Sequence, residues 1–581
     1  MMKLLQHFKE LTVRPKNAQE LKGLILQLAI QGKLTANWRQ ENPDIEPASE
    51  LLKRIQKERT KLIKEKKVRK GKAIQPIKTD EKYLEIPQNW VWTRLIEVGN
   101  IFNGNSVNKS VKAAKYEGLE KGLPYIGTKD VNYGFEALNY DNGVKIPFDE
   151  PKFKIAHKET ALICSEGGSA GKKCGITTED ICFGNKLYAL EQYGNIEAVY
   201  ILSTYKAPVF FKVFQSKMTG IIGGVSINSF GEIPIPLPPL EEQKEIVNVV
   251  ETLFKKVEQL EELTVKRIGL KEDFVTSALH QLTTNNANQE CTFLQPHFKC
   301  FFNETTNIKK LRESILQLAV QGKLTADWRH QRSLSGAEVE DASQLLKRIQ
   351  EEKAQLIADK KIKKEKALPK ITKEEIPYEL PEGWVWCRLN EILHSSFYGP
   401  RFGKEEYVEN GVPTIRTTDM DSKGYIKLKN PPTIKLTEEK LKLYKLEKGD
   451  LLVTRTGSIG TMAIFNEEYD AIPSAYLIRF RFLIVNIEYV FNLMHSPYGQ
   501  KSLGLLTNTV AQPNINATSI RDISFPLPPL EEQKAIVEKV NALMGLCDTL
   551  EQEVQQSQEH SEMLMQSCLR EVFEGKKEVC V

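Results

Sequence analysis

The side chains with chemistry to offer sit in a few short stretches. Gly167 to Lys173 (GGSAGKK) has the glycine and lysine content of a phosphate-binding loop. The first glycine of that pattern is replaced by Glu166, however, and the position that must supply a hydroxyl is Lys173, so the stretch predicts a bare glycine-rich turn. Asn430-Pro431-Pro432-Thr433 has the outline of the N-P-P-aromatic segment of adenine methyltransferases, but Thr433 has no ring to stack on a flipped base and no glycine-rich cofactor loop precedes it. There is no G-x-S-x-G nucleophile elbow and no H-E-x-x-H helix. Nine cysteines are scattered without C-x-x-C or Cys/His spacing, which argues against a disulfide framework and a zinc site; they read as reduced and mostly structural. The sequence thus predicts no catalytic residue, no metal and no cofactor.

What remains is hydrogen-bond donors in polar turns. Leu123 to Asp130 (LPYIGTKD) aligns with Val412 to Asp419 (VPTIRTTD), and Ser165 to Ser169 (SEGGS) aligns with Thr454 to Ser458 (TRTGS). Each is a strand-like run that breaks into a polar turn. Were the partner a nucleic acid, an arginine there could donate bidentately to guanine, which would make Arg416 and Arg455 candidate base readers. Thr417, Thr456 and Ser458 suit phosphate or base edges, and Lys129, Lys172 and Lys173 suit phosphates. Asn132, Tyr133, Lys186, Arg401 and Lys404 belong to neighbouring stretches that mix amide, aromatic and basic groups, as Asn105 to Lys115 and Asn508 to Asn514 also do. Asp130 and Asp419 are expected to anchor their turns, and Gly399 and Gly403 to serve turns. For every basic side chain named, simple surface exposure is the plain alternative.

These stretches align because the chain is a tandem duplication. PLPPLEEQKEIV at Pro236 to Val247 returns as PLPPLEEQKAIV at Pro526 to Val537, and ILQLAIQGKLTANWR at Ile25 to Arg39 returns as ILQLAVQGKLTADWR at Ile315 to Arg329. ASELLKRIQKERTKLI at Ala48 and WVWTRL at Trp90 return as ASQLLKRIQEEKAQLI at Ala342 and WVWCRL at Trp384, displaced by four further residues. A unit of half the chain is too long for a solenoid repeat of roughly 20–50 residues.

Each unit reads as a short helix near Asn17–Lys33, a basic helix from Ala48, a linker marked by Pro76 and Pro87, an α/β segment from Trp90 to Pro234, and a long helix opened by two prolines and two glutamates. The basic helix is strongly charged: Lys53 to Lys72 carries eleven Lys/Arg against Glu58 and Glu65. A solvated face and a phosphate-facing role weigh evenly there. Ile246, Val250 and Leu253, and Ile536, Val540 and Leu543, follow heptad-like steps; a core-packing helix inside one domain is the plain reading, and the length of the helix favours an exposed helical pair spacing two domains. The long helices are expected over Leu240–Leu282 and Leu530 to about Glu574, with a linker over Thr283–Asn307. If Ala18–Lys33 packs on the last long helix as Leu311–Lys323 packs on the first, the units close with pseudo-two-fold symmetry. The four tryptophans of the WVW phrases are expected to be core anchors.

Length and composition agree with several globular domains: 581 residues, 41% hydrophobic and 27% charged. No apolar run approaches the roughly 18 residues of a membrane span, and MMKLLQHFKE lacks a signal-peptide apolar region, so a cytoplasmic, non-membrane protein is expected. The net charge of +5 decides nothing about partners.

The doubled PLPPLEEQK phrase, WVWTRL and WVWCRL, and DLLVTRTGSIG at Asp450 to Gly460 resemble the specificity (S) subunit of type I restriction-modification enzymes over nearly the whole chain. The resemblance implies a non-catalytic subunit with two target recognition domains, each reading one half of a split double-stranded DNA sequence. It also implies helices that set the spacer and dock two methyltransferase (M) subunits, with restriction (R) subunits completing the complex. The corresponding layout is a mixed α+β fold of residues 1–75 (helical), 76–236 (first recognition domain), 237–375 (central helices), 376–526 (second recognition domain) and 527–581 (C-terminal helix). A coiled-coil scaffold that binds proteins without reading DNA is the alternative.

Overall fold

A computed structural model describes residues 14–69, 74–220, 223–284, 288–335, 340–364, 368–421, 423–455, 460–504 and 516–574. They group into two units, one containing the residues up to Ile268 with those from Glu559 onward, the other Gly269–Gln558.

In the first unit, α1 (Lys16–Ile30) buries Leu21, Leu24 and Leu28 at helical spacing and ends before Gly32, which supplies the positive φ of a helix stop. After α2 (Ala36–Glu41), α3 (Ala48–Lys64) buries Ala48, Leu51 and Ile55 and leaves Lys53, Lys57, Lys61 and Lys64 exposed. The recognition domain has strands β1 (Val91–Arg94), β2 (Gly99–Asn103), β3 (Leu123–Ile126), β4 (Lys145–Ile146), β5 (Ile155–Ala156), β6 (Ala161–Cys164), β7 (Cys174–Ile176), β8 (Ile181–Phe183), β9 (Leu187–Gln192) and β10 (Pro234–Leu237). β2-β9-β6-β7 form an antiparallel sheet and β4-β3-β8-β5 a mixed one whose β3–β8 step is parallel. Ile126, Leu162, Phe183, Leu187 and Ala189 fill one cluster. Helices α4 (Ala198–Lys206) and α5 (Pro208–Ser216) contribute Tyr200, Tyr205, Phe210 and Phe214 to the main core, beside α6 (Leu240–Thr284).

The second unit repeats this order: α7 (Asn288–Phe301), α8 (Thr305–Val320), α9 (Ala326–Ser335) and α10 (Ala342–Ala358), then β11 (Val385–Arg388), β12 (Leu393–Tyr398), β13 (Tyr407–Ile415), β14 (Thr433–Ile434), β15 (Asp450–Thr454), β16 (Met462–Phe465), β17 (Ile472–Pro473), β18 (Leu477–Phe482), α11 (Ile487–His495), α12 (Pro497–Gly504), β19 (Ser524–Leu527) and α13 (Leu530–Glu574). The sheets are β12-β18-β15-β16 and β14-β13-β17, again with a parallel step, β13–β17.

The repeated phrases recur because they bond to one another. β1 pairs antiparallel with β10, setting Trp92 opposite Pro236, and β11 pairs with β19, setting Trp386 opposite Pro526. The chain therefore enters and leaves each recognition domain on one two-stranded ribbon. Just beyond it, the second glutamate of each LEEQK is buried. Glu242 accepts from Thr35 Oγ1 (2.7 Å), Arg39 Nη2 (2.7 Å) and Trp90 Nε1 (2.9 Å). Glu532 accepts from Thr325 Oγ1 (2.7 Å), Trp384 Nε1 (2.8 Å) and Arg329. A buried carboxylate is tolerable only with such partners, so the GKLTAxWR, WVW and LEEQK phrases specify one joint between them. Gln243 and Gln533 complete it by donating to Pro238 O (3.0 Å) and Pro528 O (2.9 Å). Trp90 and Trp384 are buried core anchors, as expected, whereas Trp92 and Trp386, also expected in the core, are only half-buried on the ribbon.

Two expectations change. The stretch between the long helix and the second short helix is not an open linker: α7 fills most of it, and Phe302, at its end, is buried against Ile308 and Val275. The heptad-like seam faces inward. Ile246, Val250, Ile536 and Val540 are at most 2% exposed in the cores of their own units, and Leu253 and Leu543 are half-buried, so these six side chains do not form a partner-docking stripe. The same apolar spacing serves a helix packed inside its own unit: Ile246 and Val250 share a core with Leu26, Ala29 and Ile30 of α1, and Val257 and Leu260 farther along pack with Ala18 and Leu21. Farther along α6, Val275, Ala278 and Leu279 pack in one cluster with Ile315 of α8 and Cys547 and Val554 of α13. The pairing of short helices with long ones holds: Lys323 Nζ donates to Thr283 O (2.7 Å), and Gln566 Nε2 donates to Glu20 Oε1 (3.3 Å).

Candidate nucleic-acid interface

In each recognition domain four strand ends meet at one edge, and main-chain hydrogen bonds fix the meeting. In the first, Asn105 N donates to Phe183 O (2.8 Å), Gly184 N to Ile126 O (2.9 Å) and Ser165 N to Lys186 O (2.9 Å). In the second, Gly399 N donates to Leu477 O (3.0 Å), Ser474 N to Ile415 O (2.9 Å) and Arg455 N to Tyr476 O (3.0 Å), so Ser165 matches Arg455, one residue off the expected alignment of SEGGS with TRTGS. The approach is so close that a Cβ on Gly104 would stand 1.9 Å from Phe183 O, and one on Gly399 1.9 Å from Ser474 O. Gly399 thus serves the backbone, as expected.

At this edge the first domain presents lysines. Lys129 is exposed on a turn that buried Asp130 anchors by accepting from Gly127 N (2.9 Å). Lys173 Nζ donates to Thr128 O (3.2 Å) and lies 5.0 Å from the ring centroid of Tyr133, which is 62% exposed and whose hydroxyl is 3.3 Å from Ser169 Oγ. Lys172 is exposed beside Phe211, and Lys186 pairs with Glu166 (3.0 Å). Asn132 spends its amide on its own loop, donating to Ala137 O (2.8 Å). Gly167–Lys173 is the glycine-rich turn between β6 and β7, with positive φ at Gly167 and Gly171.

The second domain presents arginine and tyrosine. Arg455 lies over the ring of Tyr398, 4.8 Å from its centroid, and the Tyr398 hydroxyl accepts from Ala517 N (2.9 Å). Tyr476 is 62% exposed next to Arg455. Arg416 behaves differently from expectation. Its Nε and Nη2 donate to Asp419 (3.0 and 2.8 Å) and Nη2 also to Lys429 O (2.9 Å), so the fork expected to meet guanine is closed on its own turn. Burial pushes the Asp419 carboxyl up, and bonds from the Arg416 side chain and N–H outweigh that and hold it below the usual carboxylate range. Thr417 is half-buried in the same turn; Arg401 and Lys404 are exposed, Lys404 opening a short 3-10 turn. Thr456, Ser458 and Asn508–Asn514 lie outside the described residues. Asn430, in the N-P-P-T segment, takes a positive φ of 47° as a turn residue.

Sequence reasoning missed Tyr476. Its signal was positional: in the matching stretches GNKLYAL and PSAYLIRF it occupies the place of Lys186, which had been singled out.

The chain is a duplicated α/β domain that repeats its frame and varies the polar groups on one edge. Among the described residues no group of three or more His, Cys, Asp or Glu is placed to hold a metal, and no helix is long and apolar enough to cross a membrane. The chain belongs to the family of type I restriction-modification specificity subunits: the type I restriction modification DNA specificity domain matches it twice, at residues 87–267 and 381–559. It is 30% identical to the type I restriction enzyme EcoEI specificity subunit of Escherichia coli over 575 residues, 93% of this chain and 91% of that one. It is also 30% identical to the EcoAI specificity subunit of Escherichia coli over 570 residues, 92% of this chain and 90% of that one. A crystal structure of the HsdS subunit from Thermoanaerobacter tengcongensis aligns with a TM-score of 0.41 at 16% identity, covering 86% of this chain and all of that one.

Proposed function

We propose that each recognition domain reads one half of a bipartite double-stranded DNA target through its converged strand ends, and that the chain itself catalyses nothing. Lys129, Lys172, Lys173 and Lys186 in the first domain, and Arg401 and Lys404 in the second, serve phosphates. Arg455 and Tyr476, with Tyr133 in the first domain, are the groups best placed to meet base edges or faces. Thr417 and Asn132 belong to the same turns, with Arg416 holding its own, and Thr456 and Ser458 are further candidates for phosphate or base contact. Two methyltransferase subunits dock on the exposed faces of the helical regions, restriction subunits join them, and the long helices set the gap between half-sites. The assembly works on DNA inside the cell.

One observation carries this reading. Side chains of the joint, Thr35/Thr325, Arg39/Arg329, Trp90/Trp384 and Glu242/Glu532, repeat in type and partner, while at the edge Lys186 faces Tyr476 and Ser165 faces Arg455 at the same backbone positions. A shared partner requires sameness, and two different half-sites require difference. The test is binding of the chain, assembled with its methyltransferase subunits, to duplexes of varied gap. Inserting four residues into α6 near Gln259, about one helical turn, should change the preferred gap and leave the half-sites unaltered. Binding indifferent to base sequence would contradict the proposal.

A further inference from the structure

The segment after each recognition turn folds back onto the helices of its own unit. In the first, Asn139 N donates to Asp130 O (2.9 Å); in the second, Lys427 N donates to Asp419 O (2.7 Å), so each turn closes a loop. The far side of each loop lands on a long helix. Phe135 stands edge-on to Phe254 of α6, ring centroids 5.0 Å apart, while Lys206 Nζ donates to Tyr133 O (3.0 Å). In the second unit Lys423 Nζ lies 3.1 and 3.0 Å from the two carboxylate oxygens of Asp548 on α13.

The two landing sites are the same repeat position. Lys22 corresponds to Arg312, Glu258 to Asp548, and Phe254 to Met544, all by the register of the ILQLA and PLPPLEEQK repeats. Lys22 pairs with Glu258 (2.9 Å) and stands 5.5 Å from the Phe254 ring centroid. Arg312 pairs with Asp548 (2.7 Å), and its Nη1 is 3.8 Å from Met544 Sδ. In both units, then, a cation of the short helix is tied to an acid of the long helix, and the recognition loop rests on that tie. The contact chemistry differs: an aromatic edge in one unit, a carboxylate shared between two cations in the other. Lys423 and then Arg312 hold the Asp548 carboxyl below its usual range against burial. A cavity of about 300 Å³ lined by Lys22, Tyr133, Phe135, Lys206 and Glu258 leaves the first loop room to shift.

The geometry points to Phe135–Phe254 and Lys423–Asp548 as positioning contacts that seat each recognition turn on its helical frame, and so set how sharply that domain, and that domain alone, discriminates its half-site. The inference rests on the two domains being DNA readers. Neither pair touches the strand-end edge itself; each acts through the loop closed on Asp130 or Asp419. The second contact is a solvent-exposed ion pair and must weaken with salt, whereas the first is apolar and must not.

The experiment measures, for the full chain assembled with its methyltransferase subunits, the affinity penalty of single-base changes in each half-site at low and high salt. Lys423→Met should reduce the penalties in the half read by the second domain by about two- to fivefold, the size of an exposed ion pair. It should leave the other half unchanged, and Lys423→Arg should restore the wild-type penalties. High salt should reproduce the Lys423→Met effect in the wild type. Phe135→Leu should lower penalties in the first half at every salt concentration. Penalties that stay unchanged, or that fall equally in both halves, would overturn the inference. A wild-type complex with no base-specific penalty at all would instead remove the DNA-reading role, and this inference with it.

Discussion

Trp90 Nε1 donates to Glu242 Oε2 at 2.9 Å, and Trp384 Nε1 donates to Glu532 Oε2 at 2.8 Å. The indole of the strand that enters each recognition domain is thus bonded to the helix that leaves it. Both carboxylates are buried, at 0% and 1% exposure, and each also takes an arginine and a threonine from the segment after the short helix. Three separated phrases of the repeat converge on one acid, and that acid holds the recognition domain to its helices.

Removing that acid strands a half-buried arginine and a buried indole. Glu242→Ala should destabilise the first unit, and Glu532→Ala the second, by about 3–5 kcal/mol, the cost of breaking a buried pair from one side. Denaturant unfolding followed by hydrogen exchange in each unit checks this: each variant should loosen its own unit first.

Gly399 has no room for a side chain, because a Cβ would meet Ser474 O at 1.9 Å. Gly399→Ala should cost about 1–3 kcal/mol and separate the ends of β12 and β17, so that binding to the half-site of the second domain weakens while the first half is read normally. Binding to duplexes altered in one half at a time measures it.

Lys129 is exposed at the edge of the first domain. If it meets a phosphate, Lys129→Ala should weaken binding to all sequences alike and reduce the slope of log affinity against log salt by about 1. Salt titration of DNA binding by the assembled complex decides; an unchanged slope would place Lys129 off the DNA.

Asp419 gives the second recognition turn a pH dependence. Its folded pKa lies below the usual value, so its contribution is fully present above the unfolded pKa of about 3.9 and is lost as pH falls through the folded value. The stability difference between wild type and Asp419→Asn should therefore be constant from neutral pH down to about pH 4–5 and shrink below it. Thermal unfolding across that range measures it.

Much of the frame was legible because its signals are local or repeated. Two prolines and two glutamates marked the start of each long helix, and the expected Leu240–Leu282 and Leu530 to Glu574 became Leu240–Thr284 and Leu530–Glu574. What a residue faces is set by its tertiary surroundings, and there the reading failed. The steps of Ile246, Val250 and Leu253 suit an exposed helical pair and a helix packed in its own core equally, and the core, with Leu26, Ala29 and Ile30 of α1 in it, was there. Arg416 looked free to reach a base because the three-residue spacing to Asp419 does not reveal that the turn brings the two together. The candidate edge was found where aligned strand ends ran into polar turns, but Tyr476, a lone aromatic beside a strand, looked like an ordinary strand residue.

The central claim is that the two varied edges read two halves of one DNA target on a constant frame. The most direct measurement is single-base mapping of N6-methyladenine in host DNA, with the methyltransferase subunits expressed with and without this chain. A split methylated motif with a fixed gap, present only when this chain is expressed, is the predicted result. Methylation that is the same in its absence, or that follows one uninterrupted motif, would contradict the account.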